Sequence, residues 1–79
     1  MNYHYVVVRE DYLDDAHSRT AYGIAAVEEC DGCPAVMQSV SDVCADFAPV
    51  QELVQCCNEL QLDLIHLYDV VEDFLIMTL

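Results

Sequence analysis

The spacing of hydrophobic residues changes once along this chain, near Asp46, and this change constrains the fold more than any other feature. Before Asp46 the chain is rich in tyrosine, valine and small residues, which favour β-strands. After Asp46, apolar residues recur every three or four positions, as they do on one face of a helix. The sequence therefore predicts an α+β fold in which the sheet comes first and the helices follow.

Three strands are predicted in the first half of the chain, over residues 2–10, 19–29 and 35–43. Residues 11–18 are mostly polar, which is typical of a solvated hairpin loop or of a frayed strand end. The Asp31-Gly32 pair favours a tight hairpin turn. Gly23 lies inside the second strand, where glycine often marks a bulge or the close approach of another group. The simplest topology is a three-stranded antiparallel β-meander.

Two amphipathic helices are predicted after the strands, over residues 47–61 and 64–76, with Asp46 and Asp63 as their N-caps. The residues that share the inward faces are Val50, Leu53, Val54, Cys57 and Leu60 in the first helix, and Leu64, Leu67, Val70, Val71, Phe74 and Leu75 in the second. We expect both helices to pack on one face of the sheet, because two amphipathic helices and one sheet can share a single core.

The length of 79 residues predicts one α+β domain over residues 1–79 with a small hydrophobic core. Chains of this size often gain stability from oligomerisation. The first two predicted strands carry apolar residues at successive positions, so that both faces of the sheet are partly apolar. We therefore expect self-association, with a sheet-mediated dimer as the simplest arrangement.

The charge of the chain restricts its partners. Fifteen acidic residues accompany only Arg9 and Arg19, and the formal net charge is −13. Binding to nucleic acid or to an anionic membrane surface requires clustered basic residues, so neither is expected. A basic protein partner fits this charge, although an ordinary solvated acidic surface has the same composition. The sequence shows neither a secretory signal nor an apolar stretch of ~20 residues, so we expect a cytoplasmic protein.

Cys30 and Cys33 form the strongest metal-ligand pattern, because two thiolates at this spacing on a turn can bind one zinc ion. A structural zinc site needs four ligands, and no second paired motif supplies the other two. Ordinary reduced cysteines at a turn are the alternative. Neighbouring carboxylates raise the pKa of a thiol, which disfavours redox catalysis. No cofactor is expected unless these two cysteines bind zinc.

The second predicted helix carries polar residues opposite its apolar stripe, namely His66, Asp69, Glu72 and Asp73. These side chains could dock a basic partner or ligate a metal, whereas a plain solvated helix face has the same pattern. No phosphate-binding loop, nucleophile elbow or metalloprotease motif is found, and no catalytic residue is predicted. The sequence favours a non-enzymatic interaction or adaptor module, with metal binding or thiol chemistry at Cys30 and Cys33 as the alternative.

Several segments resemble a family of small uncharacterised bacterial proteins that is classed only as a domain of unknown function. The similar segments are residues 20–25, 57–60, 65–67 and 69–75. The resemblance implies a bacterial, cytoplasmic protein, and it assigns no activity, cofactor or catalytic residue. Cys30 and Cys33 are not among the characteristic residues of that family, which weighs against the metal site.

Overall fold

A computed structural model describes residues 3–14, 16–30 and 32–78 of the chain. The elements in chain order are β1 (Tyr3–Asp14), β2 (His17–Cys30), β3 (Cys33–Cys44), α1 (Phe47–Glu59), a 3-10 turn (Leu64–His66) and α2 (Leu67–Thr78). The α+β prediction is confirmed: three antiparallel strands form one sheet in the order β1-β2-β3, and two helices follow. The predicted strand start at residue 2, and Asp31 of the predicted turn, lie outside the described residues.

The β1–β2 hairpin is longer than the sequence predicts. The two strands pair without interruption from Tyr3 opposite Glu28 to Asp14 opposite His17. The prediction of a loop over residues 11–18 is therefore wrong, because both strands continue through most of that segment. Cross-strand contacts between polar residues stabilise the extension: the Thr20 hydroxyl donates to Asp11 at 2.8 Å, and the Arg19 guanidinium lies 4.4 Å from the centre of the Tyr12 ring.

Gly23 lies opposite a bulge in β3, as its position in the sequence predicts. The register steps from Tyr22 opposite Cys44 to Ile24 opposite Val40, so residues 41–43 face Gly23 alone. A Cβ atom on Gly23 would overlap the carbonyl oxygen of Val40, which is a backbone atom. Glycine is needed here because β3 passes too close to β2 for any side chain.

Both helices contribute to a core on one face of the sheet. The buried residues of this core are Tyr5, Ile24, Ala26 and Val43 from the strands, Val50, Val54 and Cys57 from α1, and Leu67 and Val71 from α2. Most of the predicted inward faces are therefore confirmed. Leu60 and Leu75 are the exceptions, because they are 79% and 37% exposed. The prediction for Leu60 was wrong because α1 ends at Glu59, so Leu60 falls at the C-cap, outside the inward face.

The helix starts differ in detail from the prediction. Asp46 occupies the N-cap of α1 and Asp63 the N-cap of the 3-10 turn, but neither side chain makes a capping hydrogen bond. The backbone carbonyl of Asp63 instead accepts a hydrogen bond from the amide of His66 at 3.0 Å. The predicted second helix therefore begins as a tighter turn before α2. No helix in the described ranges is both long and apolar enough to cross a membrane.

Candidate interaction surfaces

The outward side of α2 and of the 3-10 turn before it carries the predicted partner-binding residues. His66, Asp69, Glu72 and Asp73 are all exposed. Helical spacing places three large apolar side chains on the same side, and all are exposed: Ile65 at 81%, Tyr68 at 57% and Ile76 at 65%. We call these seven residues the α2 outer surface. The sequence analysis missed the apolar members, although their spacing could have indicated a second apolar stripe.

A second surface is the outer edge of β1, since β1 is an edge strand of the sheet. The side chain of Asn58, from α1, binds this strand at Tyr5. The Tyr5 amide donates to Asn58 Oδ1 at 2.8 Å, and Asn58 Nδ2 donates to the Tyr5 carbonyl at 2.9 Å. The backbone groups of Tyr5 therefore point away from β2.

Backbone direction alternates along a strand, so the residues that follow Tyr5 at every second position also point away from β2. These residues are Val7, Arg9, Asp11 and Leu13, and we call their outward backbone groups the free β1 edge. The side chain of Leu13, at the end of this edge, is 83% exposed. The predicted meander makes β1 an edge strand, but hydrophobic spacing does not reveal that Asn58 binds this edge at Tyr5.

A shallow pocket of about 290 Å³ lies between β1 and the end of α1. Two tyrosine hydroxyls in it donate to the carbonyl oxygen of Leu62, from Tyr5 at 2.6 Å and from Tyr3 at 3.3 Å. Burial raises the pKa of Tyr5 to about 12, and burial also raises the pKa of the Cys57 thiol. Raised pKa values disfavour the reactive anions, and the hydroxyls are already paired. These tyrosines join β1 to the chain that follows α1.

A polar cluster lies beside the β3 bulge, on the sheet face opposite the helices. Arg19 forms two hydrogen bonds with the Asp42 carboxylate, at 3.2 and 3.0 Å, and this contact lowers the pKa of Asp42. Glu10 accepts from the Asp42 amide at 2.9 Å and from the Tyr12 hydroxyl at 3.1 Å. Ala21, directly opposite Glu10 in the sheet, is fully buried. The strands therefore cover part of this second face with their own polar side chains.

The two cysteines of the predicted metal site are direct backbone partners across the β2–β3 turn. Gly32 in that turn has a φ of +82°, a conformation that glycine adopts without strain. Cys33 is exposed, whereas the side chain of Cys30 lies outside the described part of the structure. Within the described residues, no group of three or more His, Cys, Asp or Glu side chains is arranged to hold a metal. The zinc site remains a prediction.

The fold and these surfaces define a small α+β protein with one three-stranded meander, two helices on one face and an open edge strand. The chain belongs to a family of unknown function (DUF6514), whose model matches residues 1–77. No curated protein and no solved structure matches it.

Proposed function

We propose that this protein is a non-enzymatic interaction or adaptor module of the bacterial cytoplasm, which self-associates and binds a basic protein through the α2 outer surface. The observation that carries the proposal is the exposure of Ile65, Tyr68 and Ile76 beside three carboxylates of the same surface. Exposed apolar side chains surrounded by polar ones are typical of protein-binding surfaces.

The charge of this surface supports a basic partner. The chain has only two arginines and no lysine, and both arginines form ion pairs elsewhere. Arg9 pairs with Asp11 at 3.3 Å, and Arg19 pairs with Asp42 at 3.0 Å. Neither arginine therefore neutralises the carboxylates of the α2 outer surface, and opposite charge on a partner would accelerate its association with them.

Charge reversal tests the assigned surface. The double variant Asp69→Lys/Asp73→Lys should lose capture of a basic partner from lysate while it keeps the far-ultraviolet circular dichroism of the wild type. The matched control is Glu52→Lys/Glu59→Lys, which makes the same charge change at exposed positions of α1. Equal capture by the wild type and by the α2 variant would contradict the assignment of this surface.

The second candidate function is metal binding or thiol chemistry at Cys30 and Cys33. Its support is the backbone register, which places the two cysteines directly opposite each other. Native mass spectrometry of protein purified without added metal tests it. One zinc per chain, lost together with thermal stability in Cys33→Ser, would favour this candidate, whereas a metal-free folded chain would remove it.

A further inference from the structure

We propose that the free β1 edge is the self-association interface, and that a second copy of this chain adds its own β1 there in antiparallel orientation. The two sheets would then form one continuous sheet, with the helices of both copies on the same face. This inference rests on the proposed self-association and specifies where it occurs.

The two edges of the sheet are protected very differently. The β3 edge has Pro34, which lacks a backbone donor, and its ladder contains two register shifts that disturb regular pairing. β1 pairs with β2 without any shift, and no proline or lysine interrupts it. Proteins usually protect a long edge strand, since its unpaired backbone groups bind other strands. On β1, the Asn58 side chain covers only Tyr5.

The structure determines the register of such a pairing. The free β1 edge extends from Val7 to Leu13, and its midpoint is Glu10. In an antiparallel pair, all outward groups find partners only when Glu10 lies opposite Glu10 of the partner subunit. Each of the four outward residues then meets another outward residue, which gives roughly eight hydrogen bonds between the copies. The pairing ends where Asn58 occupies the edge.

This register also matches the side chains, although it was derived from the backbone alone. Arg9 lies opposite Asp11 of the partner subunit, and Val7 lies opposite Leu13 of the partner subunit. Two-fold symmetry repeats each pair. Cross-strand pairs of opposite charge and of apolar residues stabilise a sheet. The pairing would also cover Leu13, a large apolar side chain that is 83% exposed in the single chain.

Two features oppose the dimer and limit its strength. The net charge of −13 makes two copies repel each other, so added salt should strengthen association. The two Glu10 side chains would face each other, but the Asp42 amide and the Tyr12 hydroxyl already hold the Glu10 carboxylate over its own sheet. An edge contact buries less than the ~1,200–2,000 Å² of a standard interface, so the dimer should dissociate on dilution.

The test uses two variants that are defective alone and complementary together. Arg9→Glu places two pairs of acidic residues across the interface, and Asp11→Arg places two pairs of arginines there. Each variant alone should dimerise at least roughly tenfold more weakly than the wild type in sedimentation equilibrium. Mixed in equal amounts, they should form a heterodimer, because every charged pair is then opposite in sign. Glu52→Lys, at an exposed position of α1 that is not part of the free β1 edge, should dimerise at least as well as the wild type.

A proline variant provides an independent check. Arg9→Pro removes an outward amide that β2 does not use, so the chain should fold and remain monomeric. A dimer that persists in Arg9→Pro would overturn the edge interface and leave self-association intact. The same conclusion would follow if Arg9→Glu and Asp11→Arg each dimerise as strongly as the wild type and if mixing them gives no stronger dimer. A wild type that is monomeric from micromolar to millimolar concentration would overturn both the edge interface and the self-association.

Discussion

Replacing Gly23 by alanine tests the packing at the centre of the sheet. The new Cβ would overlap the Val40 carbonyl oxygen, and it would also lie 2.9 Å from Glu10 Oε1 and 3.3 Å from the Cα of Ser41. The Glu10 carboxylate can rotate away, whereas the Val40 carbonyl is part of the β2–β3 ladder. Removing the overlap between the new Cβ and the Val40 carbonyl oxygen therefore requires β3 to move away from β2 at its bulge.

The magnitude follows from two opposing effects. Overpacking of this kind typically costs 1–3 kcal/mol, and an overlap with backbone lies at the upper end of that range. Alanine restricts the unfolded chain more than glycine does, which returns about 0.5–1 kcal/mol. We expect a net loss of about 2 kcal/mol, or a fall in Tm of about 8–16 °C for a domain of this size.

Urea unfolding monitored by circular dichroism measures this loss, with Arg9→Pro as the background so that dimerisation does not contribute. The matched control is Gly32→Ala, because a Cβ at Gly32 meets no atom within 4 Å and only its φ of +82° opposes the change. The control should lose about 1 kcal/mol. If Gly23→Ala is as stable as its parent, the close approach of β3 at Gly23 is refuted.

Three further predictions concern the junction of β1 with the end of α1. Because burial raises the pKa of Tyr5 to about 12, the free energy of unfolding should be unaffected by this group below pH 10. It should then fall by roughly 2 kcal/mol as the pH rises to 12, and urea unfolding of Tyr5→Phe should lack this decline. Asn58→Ala removes two hydrogen bonds to Tyr5 and should lower the free energy of unfolding by about 1–2 kcal/mol, measured the same way. Gln61 has a φ of +51°. Gln61→Gly relieves about 1–2 kcal/mol of strain but loses about 0.5–1 kcal/mol to the greater freedom of glycine in the unfolded chain, so Tm should rise slightly, and a lower Tm would contradict this.

The fold class was predictable because the hydrophobic spacing reports directly on local structure. Tyrosine, valine and small residues identified the strands, and helical spacing identified Val50, Val54 and Cys57 as buried. The hairpin extension was not predictable from composition, since residues 11–18 are polar. Their strand conformation depends on contacts such as Thr20 with Asp11, which form only when the two strands align.

The candidate surfaces were predictable only in part. The acidic residues of α2 follow from helical spacing, and all of them are exposed. The predicted meander makes β1 an edge strand, but the extent of the free β1 edge depends on the contact between Asn58 and Tyr5, which are 53 positions apart in the chain. A sequence pattern contains no information on such a distant pairing, so this surface required the three-dimensional structure.

Residue-resolved amide hydrogen exchange by NMR, at low and high protein concentration, tests the central proposal that two copies of this chain associate through the free β1 edge. The amides of Val7, Arg9, Asp11 and Leu13 should exchange rapidly in dilute protein and slowly in concentrated protein. The inward amides of Val8, Glu10 and Tyr12 should be protected at both concentrations, because they pair with β2. Equal exchange of the outward amides at both concentrations would contradict the claim.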